Sequence, residues 1–503
     1  MEEDVVVVGA GSAGCVVAAR LSADPARRVT LIEAGPDYPD PDSRPADLRS
    51  GTAMPTSHDW GYTDGELTTF GGSPLPLPRG RVAGGSSSVN YCLALRSRPA
   101  DHHSWAALGL PEWSWEEILP HYRRLEDDPE GDRRWHGVAG PVPLRRPAPG
   151  ELTPSQEAFL TACEHEGHKR VTDHNAPQAL GAGAAPLNQV DGVRFGATLS
   201  HLDPARHRAN LRVRSDAVVH SVVLEDGRAR GVRLASGEVI RARHVVLCAG
   251  SYSSPAVLLR SGIGPREHLR SVGVEPVLDL PGVGSGLVEH PAYLTLFAAA
   301  PGDHPPARWR TMLTLRSTPG EPDADLHIQA RAAAPSPGSR PHPTGFDIAF
   351  VSALVQPLSS GSVRLRSPEA ADAPLIELGF YRRAEDARKV AEGVRVIRAL
   401  AAAPGLRDML VQEIRPGPKV ADADLEDAVR AAPMVYNHPV GSCRMGTDAD
   451  PQAVVDSRCR VRGTEGLWVI DASVMPVSPR ATTHLPVMAL ADRAVTLNWP
   501  VPA

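Results

Sequence analysis

The chain has 503 residues, more than one hydrophobic core ordinarily serves, so two joined domains are expected. Apolar residues make up 42% and charged residues 22%, the balance of a globular protein. A net charge of −6 with no basic run argues against nucleic acid as a partner, and no apolar run reaches the roughly 18 residues of a membrane helix.

Val5-Val6-Val7-Val8 is a β-branched run of the kind carried by a strand buried on both faces. It leads into Gly9-Ala10-Gly11-Ser12-Ala13-Gly14 and an apolar helical stretch from Cys15 to Leu21. Gly9 permits a tight turn, Gly11 lets backbone N–H groups approach a pyrophosphate, and Gly14 lets the helix lie close on the strand. A second strand, Val29 to Ile32, ends at Glu33, about 20 residues past the glycines, where a carboxylate grips an adenosine ribose. Strand, glycines, helix, strand and acid in register predict a dinucleotide site contacted by Ser12, Ala13 and Ala34 as well. The acid at 33 disfavours a 2′-phosphate. The motif does not separate FAD from NAD.

Residues 80–90, Gly-Arg-Val-Ala-Gly-Gly-Ser-Ser-Ser-Val-Asn, form a second glycine turn. Two glycines without bulk followed by hydroxyls suit close approach by a flat cofactor. Asp101-His102-His103 reads as a helix start capped by Asp101. Glu164-His165-Glu166-Gly167-His168 ends an amphipathic helix from Ser155, a solvated face rather than a metal site, since no third ligand follows at fixed spacing. A Val-rich hairpin over 217–240 precedes a buried strand, Val245 to Ala249, that ends at Gly250. From Ala292, alternation over 324–332, 346–354 and 362–366 predicts strands, followed by a long amphipathic helix, Ala384 to Ala402, and an acidic helix over 421–432. Then His438 stands between Asn437 and Pro439, ahead of Gly441, in His-Pro-Val-Gly-Ser-Cys-Arg-Met-Gly. Leu467 to Ile470 is strand-like and ends at Asp471.

These segments together resemble the glucose–methanol–choline (GMC) family of flavoprotein oxidoreductases. The resemblance runs from Asp4 through His58-Asp59-Trp60, Leu77-Pro78-Arg79-Gly80-Arg81, and the Gly84-Gly85-Ser86-Ser87 turn. It continues at Gly250-Ser251-Tyr252-Ser253-Ser254-Pro255, Ser261 to Pro265, Leu280 to Gly284, the His438 loop, and Asp471-Ala472-Ser473-Val474-Met475-Pro476. It implies an α/β fold: a Rossmann-like FAD domain interleaved with an α+β substrate domain, an antiparallel sheet backed by helices. The expected layout is an FAD domain in three parts (1–132, 191–291 and 433–503), a lid or interdomain excursion at 133–190 and a substrate domain at 292–432. The cofactor implied is FAD, with Arg81, Gly84, Gly85, Ser86, Asn90, Ala249, Gly250, Ala472 and Thr483 among its contacts and Val218 at the adenine. Asp471 matches a position near the ribityl–phosphate portion, where its backbone N–H matters more than its charge. Some relatives attach the flavin to a histidine at the position of Val89; valine cannot form that bond, so the FAD is expected to be non-covalent. Glu289-His290 resembles the family's acid–histidine pair and is taken as structural.

An alcohol gives up hydride only as it loses its proton, and histidine is the usual acceptor of that proton. The resemblance makes His438 this base, with hydride passing to flavin N5. The family places an asparagine or histidine at a second position, which here is Thr482. Three readings stand: Thr482 bonds the substrate oxygen, directly or through water; His484, two residues on in an extended segment, swings in; or the second role is lost. Tyr91, Cys92, Tyr436 and Asn437 are expected at the substrate pocket, Tyr91 either narrowing it or packing away. The expected reaction is oxidation of a small-molecule alcohol to an aldehyde or ketone, with oxygen or another electron acceptor. The alternatives are a lyase-type or natural-product tailoring relative with altered or no redox turnover, and a flavin-binding protein without activity. Six dispersed cysteines with no CxxC pairing, and a strand that begins at Asp4 with no space for a signal peptide, point to the cytoplasm.

Overall fold

The computed structural model describes residues 2–52, 55, 57–69, 71–148, 150–302, 309–333 and 345–499. The chain opens with β1 (Glu3–Val8), α1 (Ser12–Leu21) and β2 (Val29–Ile32). After α2 (Pro154–His165) and the short β3 (Gly181–Ala184) come β4 (Leu211–Arg214), β5 (Val219–Glu225), β6 (Arg228–Leu234), β7 (Val239–Leu247) and α3 (Gly250–Arg260). Then follow β8 (Pro291–Ala299), β9 (Thr311–Leu315), β10 (Leu326–Ala333), β11 (Asp347–Leu354), α4 (Ala384–Ala402) and β12 (Leu410–Arg415). The chain closes with β13 (Met434–Val435), β14 (Leu467–Val469) and α5 (His484–Asn498).

One sheet runs β4-β2-β1-β7-β6-β5, with β14 added beside β7. Its centre is parallel, Val5 to Val8 pairing with Val29 to Ile32 on one side and with 244–247 on the other. Covered on both faces, these strands are largely apolar where they pair, and Val6, Val7 and Leu31 are fully buried. The hairpin β5–β6 and the first half of β7 extend the sheet antiparallel.

The second large sheet is antiparallel, in the order β12-β8-β11-β10-β9-β3, with β13 paired to β8. Thus β3, from the expected excursion, is its edge strand. Side chains alternate between two buried faces. Phe297, Phe350, Ile328 and Leu313 pack with Val390, Val394 and Ile397 of α4. Ala292, Val351, Ala353 and Met312 face the other way and cluster with Leu93, Trp309 and Ala481. This second face looks toward the carboxyl ends of β1 and β7, and the cavity between them holds the candidate site.

Asp101 is not the first residue of its helix, which runs Pro99–Ala107; its carboxylate reaches back to the Arg98 N–H at 2.8 Å and also pairs with Arg480.

Candidate active site

A cavity of about 780 Å³ lies between the two sheets. At its floor the chain leaves β1 through Gly9, whose φ of 96° is left-handed. A Cβ on Gly9 would fall 2.6 Å from the Cys248 carbonyl oxygen, and one on Gly14 would fall 1.8 Å from the Gly9 carbonyl oxygen. A Cβ on Gly11 would meet no protein atom within 4 Å, because Gly11 borders the cavity. Gly11 is the N-cap of α1 and no side chain caps it, so the first-turn amides at Ser12 and Ala13 open on the cavity. The second glycine turn is pinned to the first: Gly84 N–H donates to the Ala10 carbonyl at 2.7 Å, and a Cβ on Gly85 would lie 2.8 Å from Gly11 Cα. The first residues of α3 and α5 border the same space. Three helix N-termini therefore converge there, a field that favours an anion.

Glu33 is buried at the cavity wall, and its carboxylate braces the turn by accepting N–H groups from Ala10 and Gly35, both at 2.9 Å. Burial lifts its pKa to about 7. Ala34, Arg81, Ser86, Val89 and Val218 also line the cavity, as do Ala249, Gly250, Ala472 and Thr483. Asn90 lines it too; its side-chain oxygen accepts the Cys92 N–H at 3.0 Å. The Asp471 carboxylate folds back onto protein, accepting from Gly250 N–H at 2.9 Å and from Ser254 and Ser473 hydroxyls. Gly14 and Gly84 stand behind the wall and shape it.

The His438 loop is clamped by two segments. Val288 and Val440 exchange backbone hydrogen bonds, and Cys443 N–H donates to the Ser473 carbonyl at 2.8 Å. Asn437 takes a left-handed φ of 70°, and its carbonyl accepts Arg79 Nη1 at 3.0 Å. The buried Glu289 carboxylate accepts both the His290 N–H, at 2.8 Å, and the His438 N–H, at 2.7 Å. His438 borders the cavity with its Nδ1 3.3 Å from His290 Nδ1; His290 Nε2 in turn lies 2.7 Å from Ser478 Oγ. Tyr436 packs edge-on against the His438 ring at 4.7 Å. Burial holds His290 down to about 3 and His438 well below the usual imidazole range, so both rings are neutral at pH 7. Burial raises Glu289 to about 7, against the pull of Arg79.

The segment at Thr482 differs from the extended one expected. Thr482 borders the cavity, but its hydroxyl donates to the Leu93 carbonyl at 3.0 Å and accepts the Leu95 N–H at 3.3 Å. Thr483 is already helical in its dihedrals, and His484 is the first residue of α5. His484 does not share a side with Thr482: its Nδ1 sits 2.9 Å from Ser12 Oγ, at the dinucleotide turn. Cys92 is off the cavity wall; its buried thiol faces Arg194 Nη1 at 3.8 Å. Tyr91 does line the cavity, with Tyr436 and Asn437.

The sequence reading missed the upper wall. Trp309, Gln329, Val351 and Met434 line it, and Arg79 lines the side next to Tyr252. A signal was present for Gln329. His327, Gln329 and Arg331 are the alternate polar residues of β10, a pattern that usually marks a solvated face but here faces the buried cleft.

The family model for GMC oxidoreductase matches residues 3–292, and a second GMC oxidoreductase model matches residues 357–491. An uncharacterised GMC-type oxidoreductase of Rhodococcus erythropolis is 35% identical, over 98% of this chain and 97% of that protein. An oxygen-dependent choline dehydrogenase of Rhizobium johnstonii is 32% identical, over 95% of this chain and 92% of that protein. Among solved structures, pyridoxine 4-oxidase from Mesorbium loti superposes with a TM-score of 0.91 at 32% identity, each chain covered in full. With glycine turns, histidine loop and two-sheet cleft in place, this chain belongs to the GMC oxidoreductase family, FAD-dependent enzymes that oxidise alcohols.

Proposed function

We propose that the protein oxidises a small-molecule alcohol to the aldehyde or ketone, with His438 as the base and non-covalent FAD as the oxidant. The observation that carries this is the state of His438: a neutral imidazole on the cavity wall, held through Nδ1 by His290, with Nε2 making no hydrogen bond to protein. If His438 Nδ1–H donates to His290 and His290 Nε2–H donates to Ser478, the Nε2 lone pair is left for a substrate hydroxyl. The chain's residues fit FAD on their own terms. The Gly11 backbone leaves a cradle that a Cβ would fill, three helix N-termini meet where a pyrophosphate needs donors, and Glu33 stands on the same wall. Bound there, FAD would supply the acceptor for the hydride, with oxygen or another acceptor taking up the electrons.

His438 takes the hydroxyl proton as the C–H bond weakens. Glu289 accepts the backbone N–H of His438 and so helps hold the loop that carries the base. Arg79 holds the Asn437 carbonyl and so fixes the direction of the loop. The buried apolar upper wall excludes water from the reacting hydroxyl. Val89, on the cavity wall, offers no atom for a covalent link, and the FAD should therefore pass into solution when the protein is denatured by acid.

The test is anaerobic mixing of holoprotein with a panel of primary, secondary and aromatic alcohols while the flavin absorbance is followed. Bleaching by at least one alcohol, lost by roughly 10²–10⁴-fold in His438→Ala with FAD still bound, supports the reading. A flavin that stays yellow with every alcohol sinks it and favours a lyase-type relative.

A further inference from the structure

Among the described residues, Gln329 and Tyr436 each bring a buried polar atom without a partner to the upper wall of the cavity, Gln329 Nε2 and Tyr436 Oη. Gln329 is 2% exposed and lines the cavity, yet its amide makes no hydrogen bond, and its Nε2 is fully buried without a partner. An unsatisfied buried amide is destabilising, and a ligand that pairs with it removes that cost. Its cross-strand neighbours are Met312 and Val351, both apolar. Around it Trp309, Val351, Met434, Tyr91 and Tyr436 form one apolar cluster. His327, about 7 Å before it on the same face, is in ring contact with Tyr436, and Tyr436 with His438. The amide thus shares a cavity wall with Tyr436, whose ring packs against that of His438.

Charge narrows the choice further. An aromatic wall can receive a quaternary ammonium when its faces are free and a carboxylate stands near. Here the guanidinium of Arg331 lies over Trp309 at 4.9 Å, so that indole face already holds a cation. The acids on the cavity wall are Glu33, Asp59, Asp372 and Asp471, and none belongs to the antiparallel sheet or to residues 434–438.

We propose that Gln329 selects the substrate, an uncharged alcohol on a single flat ring that carries one hydrogen-bonding atom, and that quaternary-ammonium alcohols are rejected. The inference rests on reading the site as alcohol-oxidising. Bound, the ring packs against Trp309 and Tyr436, its polar atom pairs with the Gln329 amide, and its hydroxymethyl group points to His438.

The experiment uses FAD-loaded protein in two formats. In the first, the oxidised flavin spectrum is titrated with compounds that cannot be oxidised at this site: m-cresol, toluene and tetramethylammonium. In the second, anaerobic flavin bleaching is timed with 3-hydroxybenzyl alcohol, benzyl alcohol and choline. The expected result is a preference of roughly tenfold or more for m-cresol over toluene, a matching preference for 3-hydroxybenzyl alcohol, and no response to the two ammonium compounds. Gln329→Leu should bring the m-cresol to toluene ratio close to one. Gln329→Glu, nearly the same shape, should admit tetramethylammonium. An unchanged ratio in Gln329→Leu, or tetramethylammonium binding the unaltered protein as tightly as m-cresol, overturns the proposal. If the binding preferences hold but no alcohol bleaches the flavin, the selectivity stands and the oxidation reading fails. If choline bleaches it fastest and Gln329→Leu changes nothing, the oxidation reading stands and the selectivity fails.

Discussion

His438 was legible because Pro439 and Gly441 punctuate its loop and frame a string found in few contexts. His290 was singled out with Glu289, but its contact with His438 was not: the two lie 148 positions apart, and the pairing of Val288 with Val440 and the shared Glu289 carboxylate bring the rings together. The same distance effect hid the fate of Thr482, whose hydroxyl joins a backbone almost 400 residues earlier in the chain, with 389 positions between it and Leu93. Two measurements follow at this scale. Because burial holds His438 neutral well below pH 6.5, loss of the base itself should slow flavin reduction only in stronger acid, and any change between pH 8 and 6.5 reports Glu289, which burial raises to about 7. A midpoint near 6.5, the ordinary imidazole value, would show a ring in open solvent instead. Thr482→Val keeps the shape but leaves the Leu93 carbonyl and Leu95 N–H unpaired, which should cost about 1–3 kcal/mol in denaturant unfolding. If the hydroxyl has no duty beyond that bridge, the reduction rate of the folded variant should change less than about threefold.

At the scale of elements, the strands and long helices were readable where one period dominates. The run Val5 to Val8 and the stripe of Val390, Val394 and Ile397 in Ala384–Ala402 each carry a single pattern. The start of α5 was misread as extended, although Pro486 is a familiar residue of a helix's first turn and Thr483 a common cap. β10 was readable as a strand, but alternation alone cannot say what each face meets. One face of β10 meets α4 and the other meets a cleft, so its polar positions are buried rather than solvated. The glycine turn at the head of α1 yields a paired prediction. Gly14→Ala drives a Cβ into the Gly9 carbonyl at 1.8 Å, a backbone clash that no side-chain movement relieves. Gly11→Ala meets no protein atom within 4 Å and intrudes only on the cavity. Gly14→Ala should therefore lower the melting temperature of protein stripped of FAD, whereas Gly11→Ala should melt normally yet bind FAD at least tenfold more weakly. Equal melting temperatures for the two variants would mean that Gly14 does not hold helix to strand.

Across the whole molecule, burial sets an unusual number of histidines against acid. His102, His174, His201 and His484 are held to about 4, His290 to about 3, and His327 and His438 well below their ordinary value, in each case chiefly by burial. The unfolded chain titrates these rings near 6.5. Between pH 6.5 and 4 it therefore binds protons that the folded chain refuses, and stability is lost as pH falls through that window. Glu33 and Glu289 act in the opposite sense. Their folded pKa of about 7 exceeds the unfolded value near 4.5, so each favours the fold as pH drops from 7 toward 4.5. Burial raises Asp101 and Asp471 as well, so seven histidines stand against four carboxylates, and Asp173, held low by His136 and Arg146, adds its own loss only in stronger acid. Melting followed at saturating FAD, which holds ligand linkage constant, should fall by on the order of 10 °C between pH 7.5 and pH 5. A melting temperature that holds level or rises over that interval would mean that these rings meet water in the folded protein. The cleft between the sheets would then be wetter than its packing indicates, and His438 would lose the dry surroundings that keep it neutral and ready to accept a proton.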